Sequence, residues 1–115
     1  MWIMTVDGFY SVVKKPGQEK EVTVRSRVKH DLAKLLIKVN SEIPIQEGVG
    51  TDYPFRVVIP QADWGNYLQK AAMDIEYDNF KNTLDSSDHN RHDAYFNCWS
   101  ALTLLEKENR LKNRL

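Results

Sequence analysis

Apolar residues first alternate along the chain and then recur at helical spacing, and this order runs twice. Residues 2–39 hold the first copy, two strands followed by a helix, and residues 42–75 hold the second. Neither half can bury its apolar face alone, so we expect the two to close around one core. The prediction is an α+β fold with a four-stranded antiparallel sheet in ββαββα order, helices on one face and an additional long C-terminal helix.

The first half begins with a long strand region over residues 2–15, which Asp7-Gly8 interrupts. We interpret Asp7-Gly8 as a bulge or kink, because Trp2-Ile3-Met4 is short for an independent strand. Alternation predicts a second strand over Glu21–Val28. The spacing of the apolar residues that follow predicts a helix over His30–Val39.

The second half repeats this order in a more acidic stretch. Strands are predicted at Ile43–Glu47 and Tyr53–Ile59, followed by a helix that begins near Pro60. A short helical segment is predicted at Asn79–Leu84, and a last helix is predicted from about Asp88 to Asn109. Its apolar stripes hold Tyr95, Trp99 and Leu102, with Cys98 beside them on the side expected to be buried.

Length and composition indicate one ordinary globular domain over residues 1–115, with 42% hydrophobic and 28% charged residues. No stretch approaches the roughly 18 apolar residues that span a bilayer, so we expect no membrane partner. The N-terminus lacks a basic region, which argues against a signal peptide. A single cysteine, Cys98, excludes an internal disulfide and favours a reducing compartment. We therefore expect a complete, cytoplasmic protein without a cofactor.

The net charge of zero hides a marked separation of charge. Residues 14–38 carry eight Lys and Arg against three acids, whereas residues 39–106 carry four against eleven. Arg25, Arg27 and Lys29 therefore form a candidate face for a polyanion. Single-stranded nucleic acid is the less favoured ligand, because the second strand lacks interleaved aromatic residues to stack on bases. A solvated outer sheet face explains the same charges.

Two aromatic residues suggest a subunit contact. If the first strand lies at an edge of the sheet, Trp2 and Tyr10 are candidates for an interface. The separated charges also suit pairing with a second copy or with another protein. The expected partners are therefore a homodimer mate or a protein, rather than a membrane.

Asp88, His89 and His92 are the candidate metal ligands. The two histidines lie three residues apart, so they share one side of a helix, and imidazole with carboxylate suits zinc or iron. Two histidines do not complete a site, and Asp and Ser commonly begin helices for backbone reasons alone. These residues leave open a small hydrolase or nuclease that uses His89 and His92 with or without a divalent metal. The residues as a whole favour a non-enzymatic binding or regulatory module.

Several short motifs resemble one family. The opening MWIMT with GFYSVV at residues 8–13 is similar to the start of a family of small uncharacterised bacterial proteins. So are DYPFR at residues 52–56 with the following Trp64, YDNFK at residues 77–81, and the later segment from Tyr95 to Trp99. The resemblance spans residues 1 to about 105. It implies a small soluble bacterial protein and brings no activity, cofactor or catalytic residue with it.

Overall fold

The computed structural model describes residues 1–48 and 52–107 of the chain. These divide into two compact units, Met1–Glu76 and a second unit that begins at Tyr77, and each is described by itself. No helix within the described ranges is long and apolar enough to cross a membrane. The expectation of a single domain stays a prediction, as does the expected duplication of residues 2–39 and 42–75.

The first unit is an antiparallel sheet with two helices, in the order β1 (Trp2–Thr5), β2 (Gly8–Val13), β3 (Glu21–Ser26), α1 (Lys29–Lys38), β4 (Gln46–Glu47), β5 (Phe55–Pro60) and α2 (Gln61–Met73). The strands lie in the order β1-β2-β3-β5-β4, and every neighbouring pair is antiparallel. The predicted α+β class and antiparallel sheet are confirmed. The prediction of four strands in ββαββα order is wrong, because the sheet has five.

The fifth strand comes from the turn at Asp7-Gly8, which is not a bulge. Thr5 pairs with Gly8, so Val6 and Asp7 form a two-residue hairpin loop. The short β1 is held by its pairing with β2 and by the Thr5 side chain, which accepts a hydrogen bond from the Asp7 backbone N–H at 3.1 Å. Gly8 is required there, because a Cβ atom would overlap the carboxyl group of Asp31.

The core lies between one face of the sheet and both helices. Alternation along the strands points Tyr10, Val24 and Val57 to the same side, together with Val12, Val22 and Ile59. The predicted leucine stripe of α1 closes this layer from above, and Trp64 and Tyr67 of α2 complete it. The predicted placement of helices on one face of the sheet is therefore confirmed for α1 and α2.

The ends of the helices explain two smaller differences. Asn40 has a positive φ of 54° and ends α1, where Asn40 N–H donates to Ile37 O and Ser41 N–H donates to Leu36 O. Helix α2 ends at Met73, so Ile75, predicted in its buried stripe, is exposed. The strand predicted at Ile43–Glu47 is shortened to Gln46–Glu47.

The second unit holds a short 3-10 helix, Phe80–Thr83, then α3 (His89–Leu102) and a further helical turn at residues 104–107. Asp88 caps α3, and its side chain accepts a hydrogen bond from the Arg91 backbone N–H. The predicted helix end at Asn109 lies outside the described residues. The expected burial of α3 is wrong for Cys98, Trp99 and Leu102, which are all exposed.

Candidate functional site

The outer face of the sheet points away from α1 and α2, and it carries arginines where the inner face is apolar. Side chains alternate along a strand, so the neighbours of the buried Val24 and Val57 point outward. The register then sets Ser11, Arg25 and Arg56 side by side on β2, β3 and β5. Two arginines therefore occupy directly opposed positions on one strand pair.

A buried tyrosine fixes the positions of two arginines on this outer face. The guanidinium carbons of Arg25 and Arg27 lie 4.7 and 4.6 Å from the centre of the Tyr53 ring. Arg25 Nη2 also donates to Ser11 Oγ at 2.7 Å, and Arg27 Nη1 donates to Asp52 O at 2.9 Å. Because an aromatic ring attracts a cation over its face, Tyr53 holds both arginines in place. We call this group the arginine face: Arg25, Arg27, Tyr53 and Arg56.

The charges of the arginine face are not balanced by carboxylates in the described part of the chain. No Asp or Glu there lies within ion-pair distance of the three guanidinium groups. The Nε atoms of Arg25 and Arg56 are buried and make no hydrogen bond there. Like charges at opposed strand positions are destabilising, and a buried N–H without an acceptor adds a further cost. An anion with several acceptor oxygens would relieve both costs.

Lys29, the third residue of the predicted polyanion face, has a partner in the structure. It is the first residue of α1, and its Nζ lies 2.8 Å from Glu47 Oε1 on β4. Both side chains are more than half exposed, so the pair is weak. The charge of Lys29 is nonetheless matched locally, whereas Arg25 and Arg27 lie beside a third arginine that the sequence analysis did not select.

The two predicted interface residues are placed differently from each other. Trp2 lies on the edge strand β1 with 77% of its surface exposed. Tyr10 has no exposed surface, and its hydroxyl donates to Asp31 O at 2.7 Å within the core. Tyr10 is therefore on the inner face, so it neither shares the outer face with Arg25 nor contributes surface to a contact. Trp2 is the exposed member of the pair.

The histidines of α3 lie at its first turn in the second unit. His92 Nε2 lies 3.0 Å from Asp85 O, and His89 is exposed. The backbone N–H and the guanidinium of Arg91 lower the pKa of the Asp88 carboxyl group, so Asp88 is occupied as a helix cap. Within residues 1–48 and 52–107, no group of three or more His, Cys, Asp and Glu side chains could hold a metal ion.

A second polar cluster lies under the helices of the first unit. Tyr67 donates to Asp7 Oδ2 at 2.6 Å, and Lys38 Nζ lies 2.8 Å from Asp7 Oδ1. Because Tyr67 donates its proton to Asp7, the 2.7 Å hydrogen bond between Tyr67 and Thr5 is donated by Thr5. Burial, with the hydrogen bond to Asp7, raises the pKa of Tyr67 well above its usual range. This cluster fastens the β1–β2 turn to α1 and α2.

A cleft of about 240 Å³ opens beside this cluster, at the C-terminal end of α1. Seven residues of α1, its C-terminal end and α2 line it: Lys38, Val39, Asn40, Asp63, Asn66, Tyr67 and Lys70. It is smaller than the usual ligand pocket of roughly 300 to 1,000 Å³. The polar groups that reach its floor already bond to one another, so we assign the cluster to the stability of the fold.

Sequence reasoning missed Arg56 and Tyr53 as members of the arginine face. Arg56 alternates with the apolar residues of β5, which marks it as outward-facing, but its neighbour depends on strand order. The pairing of β3 with β5 crosses the intervening helix α1 and is not encoded in any local pattern. The resemblance segment DYPFR contains both residues, although it carried no role for them.

Comparisons of the chain with protein-family models, with curated proteins and with solved structures gave no match. The resemblance of the opening residues to a bacterial family therefore stays a prediction.

Proposed function

We propose that this protein is a non-enzymatic binding module whose arginine face holds the phosphate groups of an anionic ligand. The observation that carries the proposal is the direct pairing of Arg25 with Arg56 across β3 and β5, without a carboxylate at ion-pair distance among the described residues. A fold gains nothing from opposing two cations in this way. The arrangement becomes favourable when an anion lies between them.

Phosphate fits this face better than a single carboxylate does. A guanidinium group presents its N–H donors as a flat fork, which matches two oxygens of one phosphate. Three such forks lie on a rigid sheet, and the ring of Tyr53 orients those of Arg25 and Arg27. A phosphate supplies more acceptors and more negative charge than a carboxylate, so it satisfies more of these donors.

Free phosphates and a nucleic acid backbone share this chemistry. Tyr53 is buried beneath two guanidinium groups, so its ring does not offer a stacking surface for a base. The face therefore recognises phosphate rather than base identity. A cytoplasmic setting is part of the proposal, supported by the single cysteine of the sequence. The alternative of a hydrolase or nuclease at His89 and His92 stays a prediction.

The proposal is tested with pyrophosphate and with a fluorescently labelled oligothymidylate as separate probes. We expect Arg56→Gln to weaken binding by about tenfold, and the oligonucleotide salt dependence to lose roughly 0.7 of a logarithmic unit per lost phosphate contact. Titration calorimetry follows pyrophosphate, and fluorescence anisotropy at several salt concentrations follows the oligonucleotide. Binding of both probes indicates phosphate recognition, and binding of the oligonucleotide alone indicates a polyanion site.

Lys70→Gln is the matched control, because it removes one positive charge from α2 in the helical layer. We expect this variant to bind both probes as the parent protein does. A second comparison sets Tyr53→Leu against Tyr53→Phe, since only phenylalanine keeps a ring beneath the two guanidinium groups. Equal losses in Arg56→Gln and Lys70→Gln, or no binding of either probe at low salt, would overturn the proposal.

A further inference from the structure

Helix α3 presents an apolar surface that the second unit leaves uncovered. Twelve consecutive residues, 94–105, include no Asp, Glu, Lys or Arg. Five large apolar side chains in this stretch are 52–62% exposed: Phe96, Trp99, Leu102, Leu104 and Leu105. Exposed apolar residues that occur singly are ordinary, but a contiguous group on one helix marks an interaction site. We call these five residues the α3 surface.

The second unit covers only one side of this helix. Tyr95 is the buried residue of α3, and its ring stacks on Phe80 with centroids 6.1 Å apart. Lys81 Nζ lies 4.8 Å from the centre of the Trp99 ring, and Phe96 packs beside Trp99 at 5.7 Å between centroids. The short 3-10 helix that provides Phe80 and Lys81 therefore leaves more than half of Phe96 and Trp99 exposed.

We propose that a second copy of this chain covers the α3 surface and forms a two-fold symmetric dimer. In a two-fold interface the same surface meets itself, so every charge on it would face a like charge near the axis. A stretch of twelve residues without a charged side chain avoids that repulsion entirely. Self-complementarity of this kind is a property of the sequence rather than of any one contact.

The size of the α3 surface suits a dimer of moderate stability. At the usual areas of these side chains, their exposed parts present roughly 600 Å² per copy, against about 800 Å² per partner in a standard interface. The central position of Trp99, beside Phe96, provides the aromatic anchor on which such interfaces depend. Interfaces are enriched in the aromatic residues found here and depleted in charged residues at their centres.

A lipid surface fits the same residues less well. Helices that lie on membranes carry several Lys and Arg along the margin of their apolar face. Over residues 89–102, α3 carries Arg91 as its one Lys or Arg, and the Arg91 guanidinium is bonded to Asp88 and to Tyr95. We therefore assign the surface to a second copy and treat binding to anionic vesicles as a result that would contradict this assignment.

The test is the mass of the full chain in solution by light scattering and sedimentation. We expect a species of twice the 13.4 kDa chain mass at about 100 µM, dissociating as the protein is diluted. Trp99→Glu should raise the dissociation constant at least tenfold. Met73→Glu is the matched control, because Met73 is a 79% exposed apolar residue at the end of α2; it should leave the mass unchanged.

Cys98 provides a second measurement that needs no variant. It is exposed on α3 next to Trp99, so we expect maleimide labelling to slow as the protein concentration rises and the dimer forms. Arg56→Gln should leave the mass unchanged, which separates this inference from the proposed function. A monomer at 100 µM, a dimer unaffected by Trp99→Glu, or labelling independent of concentration would overturn the inference.

Discussion

The two faces of one sheet are built from adjacent rows of residues and have opposite character. The inner row sets Val12, Val24 and Val57 side by side, and the row one position away sets Ser11, Arg25 and Arg56 side by side. The inner row is closed by two helices and needs no further partner. The outer row opposes two cations. The fold is therefore explained by the inner face, and the binding capacity is explained by the outer face.

The closest packing of the first unit provides the largest expected effect. Gly8→Ala places a methyl group against the Asp31 carboxyl group, which accepts a hydrogen bond from the Phe9 backbone N–H at 3.1 Å. We expect the free energy of unfolding to fall by about 3 kcal/mol, because the substitution overpacks this site and disturbs a buried hydrogen bond. Urea unfolding measures the change.

Gly65→Ala is the control for this substitution. Gly65 lies within α2, and nothing lies within 4 Å of the position that its Cβ would take. Alanine there should stabilise the helix by up to about 1 kcal/mol, since glycine is unfavourable within helices. If Gly8→Ala proved as stable as Gly65→Ala, the close contact between β2 and α1 would be contradicted.

The buried hydroxyl of Tyr67 provides an intermediate effect, with a dependence on pH. Tyr67→Phe removes the hydrogen bonds to Asp7 and Thr5 and should cost about 1 to 2 kcal/mol. Burial raises the pKa of Tyr67, so the folded state keeps this proton when the unfolded state releases it. That contribution is complete below the unfolded pKa of about 10 and is lost as the pH rises above it.

Unfolding curves at pH 8 and pH 11 measure this dependence. The parent protein should lose more stability between the two than Tyr67→Phe does. An equal loss in both proteins would show that the Tyr67 hydroxyl is not held by Asp7 as the structure describes.

The outer face provides the smallest effect, and it has the opposite sign. Arg56→Gln removes one of two opposed cations, so we expect the protein without ligand to gain about 0.5 kcal/mol at low salt. Because salt screens charge repulsion, the gain should shrink at 1 M salt. Thermal unfolding at both salt concentrations measures it. A loss of stability would show that the arginine face serves the fold and not a ligand.

The inner face was largely predictable from the sequence. The leucines of α1 and the alternating residues of β3 and β5 each repeat with the period of their element, and burial follows from that period. Tyr10 was correctly alternated along β2 but assigned to the wrong environment, because its face depends on which side the helices cover. The turn before Gly8 was misjudged for a related reason, since the contact with Asp31 joins positions 23 residues apart.

The outer face was only partly predictable. Arg25 and Arg27 lie on one strand and share a face by alternation alone, so the sequence identified both. Arg56 joins them through a pairing between β3 and β5 that no local pattern specifies. The exposed side of α3 was missed because an apolar stripe on a helix predicts contact with something, and a partner outside the chain satisfies that pattern as well as the chain's own core does.

The side-chain Nε–H signals of the arginines test the central claim most directly, by nuclear magnetic resonance during a titration with pyrophosphate. We expect the signals of Arg25 and Arg56 to move downfield together as their buried Nε–H groups gain acceptors. Arg91 is the internal reference, because its Nε already donates to Asp88 Oδ2 at 3.1 Å. Saturable shifts at Arg25 and Arg56 with a stationary Arg91 are the predicted result; shifts of equal size at all three, or at none, would contradict the account.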